Sequence, residues 1–295
     1  LDLTQFNTDI EKYTTLKRSS LIKFLKDKLF SNLIRFNKTI KEIEQNKNNI
    51  KINFTDGETD EVDYLVVSDG VFSSTKSIIE NKNYRPNYYG AIAIRTIVDR
   101  KNVKDFDKNN ISLLMSSDAH AVLYPTNEKE HNLVTVVRSK IKDFEKINNI
   151  NFIKAILKNS ILKNNSAMTS LFEGDLASWP IYTSDKSIVS KFKNVFYLGD
   201  TFYALPPSMA QGASQSIEGA IELFEIFEKN INDKQNLYFK TRLNRIEKIS
   251  KRSNFNYFAF HLSNKFFVRF RNILIKKLIN NEKFIKSYLG RVFRK

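Results

Sequence analysis

The 295-residue sequence contains no cysteine, which excludes a disulfide framework, a cysteine-ligated zinc site and a thiol nucleophile. That agrees with a reducing cytoplasm. Glycine and proline are scarce, at eight and five, and the glycines (57, 70, 90, 174, 199, 212, 219 and 290) include no two that are two apart. A GxGxxG phosphate-binding turn is therefore missing from these residues. Of three histidines, His120 and His131 invite a metal or general-base role, but no carboxylate–histidine spacing accompanies them and no Ser/His/Asp set suggests itself. They read as ordinary strand-end or loop residues, and no metal is expected. No apolar run reaches the ~18 residues of a membrane span, and nothing reads as a signal peptide.

What is present supports a real core, with 41% hydrophobic residues and 24 Phe, 12 Tyr and one Trp. Lys and Arg number 48 against 32 Asp and Glu, a formal charge of +16. Such an excess raises anionic membrane or nucleic acid as partners. Much of it follows from a general richness in Lys, Asn, Ile and Phe, so nucleic acid is not favoured. The stretch Lys265 to Lys295 holds ten Lys and Arg against Glu282, interleaved with Phe266, Phe267, Phe270, Phe284, Tyr288 and Phe293. A basic aromatic helix of this kind either lies on an anionic membrane surface or packs on the body or a partner subunit.

The stretch from Asn194 to Lys229, NVFYLGDTFYALPPSMAQGASQSIEGAIELFEIFEK, is the most informative. It reads as a short buried strand, a Gly199-Asp200 turn, a Pro206-Pro207 loop and a helix from about Gln211-Gly212. The helix rests on apolar recurrence at Ile217, Ala220, Ile221, Phe224 and Phe227. Gly212 lets a ligand approach the backbone, and unpaired N–H groups in the first helical turn favour an anion or an electron-rich ring edge.

Upstream, Leu16 to Leu29 reads as a helix with Leu21, Phe24, Leu25 and Leu29 on one face. Ile50 to Thr55 alternates as a strand, Asp56-Gly57 is a hairpin signal and Val62 to Val67 is a second strand. That strand runs into Ser68-Asp69-Gly70, a carboxylate and a glycine where open α/β sheets bind nucleotides. Tyr88 to Arg138 is rich in consecutive strands without intervening helices, which points to an antiparallel sheet. Asn148 to Leu162 and Asp233 to Leu262 read as helices. The lone Trp179 reads as core or pocket wall.

GDTFYALPPSMAQGASQSIEGA resembles the GD motif of FAD-dependent aromatic-ring monooxygenases, in their salicylate-hydroxylase-like and ubiquinone-biosynthesis branches. The DG motif of that family resembles Asp63, Asp69, Gly70 and Ser73, with Lys76 where Arg is usual. Arg242, Arg245, Arg252, Ser253, Asn256 and His261 resemble the salicylate-hydroxylase-like signature. Two residues of the GD motif depart from the family: Tyr203 stands for a usual His and Gly219 for a usual Asp. The resemblance implies an α/β fold, namely a Rossmann-like FAD-binding domain, its first βαβ unit missing, with an inserted antiparallel β-sheet substrate domain and C-terminal helices. The implied domains are a partial FAD-binding domain over 1–80, a sheet domain over 81–180, the return of the FAD-binding domain over 181–230 and a helical region over 231–295. It also implies N-terminal truncation, with a strand–GxGxxG–helix unit preceding Leu1.

The resemblance further implies FAD as cofactor, NADH or NADPH as co-substrate, O₂, and hydroxylation of a small aromatic substrate through a flavin C4a-hydroperoxide. Arg18 would reach FAD and Asp200 would bind its ribityl chain. Asp69, Gly70 and Gly199 would belong to the cofactor site. Gln211, Gly212 and Ala213 would face the flavin pyrimidine edge, and Pro207 would lie beside the ring. Arg95, Tyr124, Tyr203 and Pro207 are substrate-pocket candidates. No protein nucleophile is required, because the flavin carries the chemistry. A cytoplasmic enzyme is expected, with a homodimer and peripheral contact to the inner membrane face through the tail as options. The alternatives are a non-catalytic flavin or aromatic-ligand binding protein, or a basic module for membrane surface or nucleic acid.

Overall fold

The computed structural model describes residues 7, 9, 14–47, 49–163, 166–184, 186–229 and 231–289. Phe293 and the last basic residues of the tail lie outside the described residues. The strands are β1 Ile40–Gln45, β2 Ile50–Phe54, β3 Thr59–Val62, β4 Leu65–Val67, β5 Asn87–Asp99, β6 Ser112–Met115, β7 Ala119–Pro125, β8 Glu130–Arg138, β9 Ala177–Thr183 and β10 Val195–Tyr197. The helices are α1 Arg18–Lys26, α2 Ser74–Glu80, α3 Phe144–Ile147, α4 Ile150–Asn159, α5 Asp200–Tyr203, α6 Gly212–Phe227, α7 Lys234–Phe260, α8 Lys265–Leu278 and α9 Glu282–Leu289. No helix among the described residues is long and apolar enough to cross a membrane.

The chain divides into two units. The first comprises residues 1–29, 90–180 and 257–295, and the second residues 30–89 and 181–256. Unit 1 is built on a five-stranded sheet of order β6-β7-β8-β5-β9, whose first four strands pair antiparallel. Period-2 alternation puts Ile92, Ile94 and Val98 of β5 and Leu133 and Val137 of β8 on one face, against Ile153 and Leu157 of α4. Helix α4 starts where the Asn149 side chain accepts the N–H groups of Asn151 and Phe152, an N-cap that satisfies two otherwise orphaned donors.

Helix α8 buries no residue and leaves Phe266, Phe267, Phe270 and Ile273 exposed. Helical spacing puts Lys265, Arg269 and Lys276 on a flank beside Phe266, Phe270 and Ile273. Helix α1 likewise has no buried residue, and its Phe24 and Leu25 are exposed.

Unit 2 holds an antiparallel sheet β1-β2-β3 and the parallel pair β10-β4. Ile50, Ile52 and Phe54 alternate into its core with Val67, Val195 and Tyr197. The stretch expected as one strand over Val62 to Val67 is two. Residues 59–62 close the hairpin with β2 around Asp56-Gly57, and residues 65–67 pair in parallel with β10. Each half follows a different partner, so the ladder breaks at Asp63-Tyr64.

Helix α6 lies where expected, but with a different face inward. Ile217, Ile221 and Phe224 are exposed, whereas Gln215, Gly219, Glu222, Leu223 and Ile226 are buried. The cause is Arg242 of α7, itself 2% exposed. Its guanidinium donates to Glu222 at 3.0 Å, Glu218 at 3.2 Å and the Gln215 carbonyl at 3.0 Å. A buried charge needs partners, and these draw a polar face of α6 inward.

Candidate cofactor cradle and ring-binding face

In unit 2 the DG and GD segments leave the carboxyl ends of two adjacent parallel strands, β4 and β10, which pair Val67 with Tyr197. That is where open α/β sheets place nucleotides. Both segments turn on glycine. Gly70 has φ +90° and Gly199 φ +62°, and a Cβ at Gly199 would stand 2.9 Å from Ser216 Oγ. L side chains seldom adopt that conformation, and the close approach lets the GD turn lie against the first turns of α6.

Thr201 joins the two segments. Its hydroxyl accepts the Gly70 N–H at 2.8 Å and lies 3.2 Å from Asp69 Oδ1 and 3.1 Å from the Gly70 carbonyl. Asp69 Oδ2 accepts the Thr75 N–H at 3.1 Å. Lys76 is buried over the rings of Tyr84 and Tyr197, and its Nζ donates to the Thr201 carbonyl at 3.0 Å. Burial lowers its pKa, against the raising effect of Glu80 and Asp69.

A shallow cleft opens beside this junction, lined in part by Gly199, Asp200, Tyr203, Gly212, Ser216 and Arg242. Gln211 precedes α6 without a side-chain cap, and a Cβ built on Gly212 meets nothing within 4 Å. The start of a 16-residue helix thus offers N–H groups and a positive dipole end with room for a ligand to approach. Pro207 opens a short 3₁₀ turn ended by Ala210 in the left-handed region at φ +53°. Within that turn Ser208 Oγ is buried with no partner among the described residues. Uncapped donors, open space at Gly212 and an orphaned hydroxyl fit a bound flavin nucleotide.

Tyr203, a substrate-pocket candidate, has its hydroxyl 3.3 Å from Ser250 Oγ in α7. Glu218, ahead of Gly219, is drawn upward in pKa by burial, but Arg245 and Arg242 outweigh this and hold it below the usual carboxylate range. A Cβ on Gly219 would stand 3.0 Å from Leu198 Cδ1 and 3.3 Å from Arg242 Nε and Tyr238 OH. The missing family aspartate thus coincides with a crowded helix contact.

The remaining candidates belong to unit 1. Arg18 begins α1 and is exposed. Arg95 and Tyr124 lie on the sheet face opposite the core, because Arg95 pairs with Val134 and Tyr124 with Asn132 while Ile94 and Leu133 point inward. The Arg95 guanidinium lies 5.7 Å over the Trp179 ring, a cation–π contact.

Sequence reasoning missed the linking role of Thr201, which has no composition signal, and the pairing of two histidines. His120 Nδ1 and His261 Nε2 are 2.9 Å apart in unit 1, and both rings are 2% exposed. Burial pushes His120 down to about 4. Burial, with His120 and Arg138 adding to it, pushes His261 down to about 3. His131 is buried too, with Nε2 donating to the Lys108 carbonyl at 2.9 Å.

The FAD binding domain family model matches residues 2–251. The 6-hydroxynicotinate 3-monooxygenase of Bordetella bronchiseptica is 25% identical over 226 residues, 74% of this chain and 57% of that protein. Its counterpart from Pseudomonas fluorescens is 23% identical over 248 residues, 81% of this chain and 63% of that protein. The chain therefore spans less than two thirds of the length of these curated relatives. Among solved structures, HpxO of Klebsiella pneumoniae complexed with FAD and uric acid aligns with a TM-score of 0.77 at 16% identity, covering 93% of this chain and 71% of that one. A salicylate hydroxylase substrate complex gives 0.74 at 17% identity, covering 93% and 74%. These structures share the mixed α/β fold. With the family model spanning most of its length, the chain belongs to the FAD binding domain family.

Proposed function

We propose that this chain is the body of a flavin hydroxylase that oxidises NADH or NADPH and inserts one atom of O₂ into a small aromatic or heteroaromatic ring. The observation that carries the reading is the Thr201 junction, which holds Asp69, Gly70 and Asp200 at the ends of two parallel strands beside the uncapped start of α6. Bound FAD supplies the redox chemistry, taking electrons from the nicotinamide and activating O₂. The protein's part is to bind, orient and stabilise charge.

In this reading Asp200 would hold the ribityl chain, and Asp69 and Gly70 would support the same nucleotide. The N–H groups of Gln211, Gly212 and Ala213 would face the pyrimidine edge, where the helix dipole would favour negative charge on the reduced ring. Pro207 flanks the ring and Arg18 reaches the cofactor. Arg95, Tyr124 and Tyr203 contact the substrate, whose class follows the rings named for the relatives: 6-hydroxynicotinate, uric acid and salicylate.

The test is a flavin spectrum and NAD(P)H oxidation, with and without aromatic acids, on the protein with any sequence preceding Leu1 included. Absence of both bound flavin and ring-stimulated oxidation rejects the reading. Flavin or ring binding without NAD(P)H turnover supports the non-catalytic alternative.

A second reading concerns α8 alone. Exposed Phe266, Phe270 and Ile273 beside Lys265, Arg269 and Lys276 match an interfacial helix on an anionic lipid surface. Co-sedimentation with phosphatidylserine vesicles that disappears with phosphatidylcholine supports it, and indifference to lipid charge rejects it.

A further inference from the structure

The face of the unit 1 sheet opposite the core carries one residue that its surroundings do not explain. Directly paired residues share a face, so the register puts Arg95, Ile97, Val122, Tyr124, Asn132 and Val134 together, opposite the packed core. Ile97 is exposed, and Arg95, Val122, Tyr124 and Val134 are half-buried. Asn132, flanked by Ile97 on β5 and Tyr124 on β7, is only 4% exposed. Its Nδ2 has no hydrogen-bond partner among the described residues, and neither has Arg95 Nε.

A buried amide donor without an acceptor is costly, and valine, isoleucine or leucine would fit this strand without that cost. Its neighbours Val122 and Val134 form an apolar floor, and the ring of Trp179 stands beside Arg95 on the adjoining strand. An apolar floor with a few convergent polar groups is how proteins bind small rings. The charge of Arg95 on the same face sets the sign of the missing partner, an acceptor oxygen.

We propose that Asn132 is a specificity-determining residue, donating from Nδ2 to an exocyclic acceptor oxygen, carboxylate or carbonyl, of an aromatic ring laid on Val122 and Val134. This rests on the hydroxylase reading for the ring's fate, but the binding step stands apart from it. The face selects oxygen-bearing, anionic rings over bare ones, because a bare ring would leave both Asn132 and Arg95 unmatched.

The chain's single tryptophan, Trp179, reports occupancy of this face without flavin or turnover. Its fluorescence is titrated with nicotinate and with pyridine, rings that differ only by the carboxylate. Nicotinate is expected to quench saturably and to bind at least about tenfold more tightly than pyridine, the size of a hydrogen bond to a charged group. Asn132→Leu should bring nicotinate close to the pyridine level and leave pyridine unchanged. Equal affinity of the two rings, no quenching by either, or unchanged nicotinate affinity in a folded Asn132→Leu protein overturns the proposal. Should Asn132→Leu fail to fold, the nicotinate-to-pyridine ratio of the unaltered protein and of Asn132→Thr decides it.

NAD(P)H oxidation by the FAD-loaded protein is followed in parallel. An Asn132-dependent quench with no ring-stimulated oxidation removes the hydroxylase reading and keeps the subsite. Ring-stimulated oxidation indifferent to Asn132→Leu does the reverse.

Discussion

The hydroxyl of Thr201 accepts the backbone N–H of Gly70 at 2.8 Å, across a separation of 131 residues. One side chain thus clamps the DG loop to the GD loop. Thr201→Val keeps the shape and removes the acceptor from a part-buried N–H, and is expected to cost about 1 kcal/mol. FAD affinity should fall with it, while Thr201→Ser should restore both. Urea unfolding and a FAD titration on the three proteins check this, and a Val variant as stable as the original would refute the clamp.

Arg242 answers two carboxylates and a carbonyl inside unit 2. Arg242→Met strands the buried Glu222 and should destabilise by about 3–5 kcal/mol. Pairing it with Glu222→Met should recover part of that loss. Chemical denaturation of both single variants and the double variant completes the cycle. Additive losses would mean that the pair is not coupled.

Glycine within a helix usually yields about 1 kcal/mol when replaced by alanine. Gly219 should not, since a Cβ there meets Leu198 Cδ1 at 3.0 Å. Gly219→Ala is expected to be no more stable than the original, and to gain stability once Leu198 is alanine. Melting temperatures of the set decide, and an immediate gain would show that Leu198 yields freely.

The His120–His261 pair predicts acid sensitivity. Both folded-state values, about 4 and about 3, lie below the ordinary value of 6.5. The unfolded chain therefore takes up protons first as pH falls below about 6.5. Stability is complete above that pH and declines toward about pH 4, with a slope of up to about 1.4 kcal/mol per pH unit for each ring. Arg138, over the Tyr257 ring at 5.6 Å, adds to the cost of a second positive charge there. Urea midpoints between pH 7.5 and about 4.5 should fall less steeply in His261→Gln than in the original. Parallel slopes would dismiss the pair as the cause.

Much of the fold could be read from the residues because turns and periods carry it. Asp56-Gly57 marked the β2–β3 hairpin, consecutive strands without intervening helices over Tyr88 to Arg138 pointed to an antiparallel sheet, and Gln211-Gly212 marked the start of α6. Partner identity was hidden. Val62 and Leu65 look alike as β-formers, yet one pairs with Ile50 and the other with Val195. The apolar stripe of α6 named a helix but not its inward face, since Arg242 outweighed Ile217 and Phe224. At the candidate site, glycines and carboxylates were visible as motifs. Thr201, Asn132 and the histidine pair act through neighbours distant in sequence, so no local pattern announces them.

The parallel pairing of Leu65 with Val195 has a kinetic consequence. Strands β5 to β8 find partners within one continuous stretch of chain, whereas β4 waits until β10 has emerged and folded back past it. Contacts across so long a span form late, because loop-closure entropy must be met first. Pulsed hydrogen exchange during refolding should therefore protect Ile94 and Val134 before Val67 and Tyr197. The candidate cofactor cradle is then the last element to assemble, and a chain interrupted before residue 195 would lack it altogether.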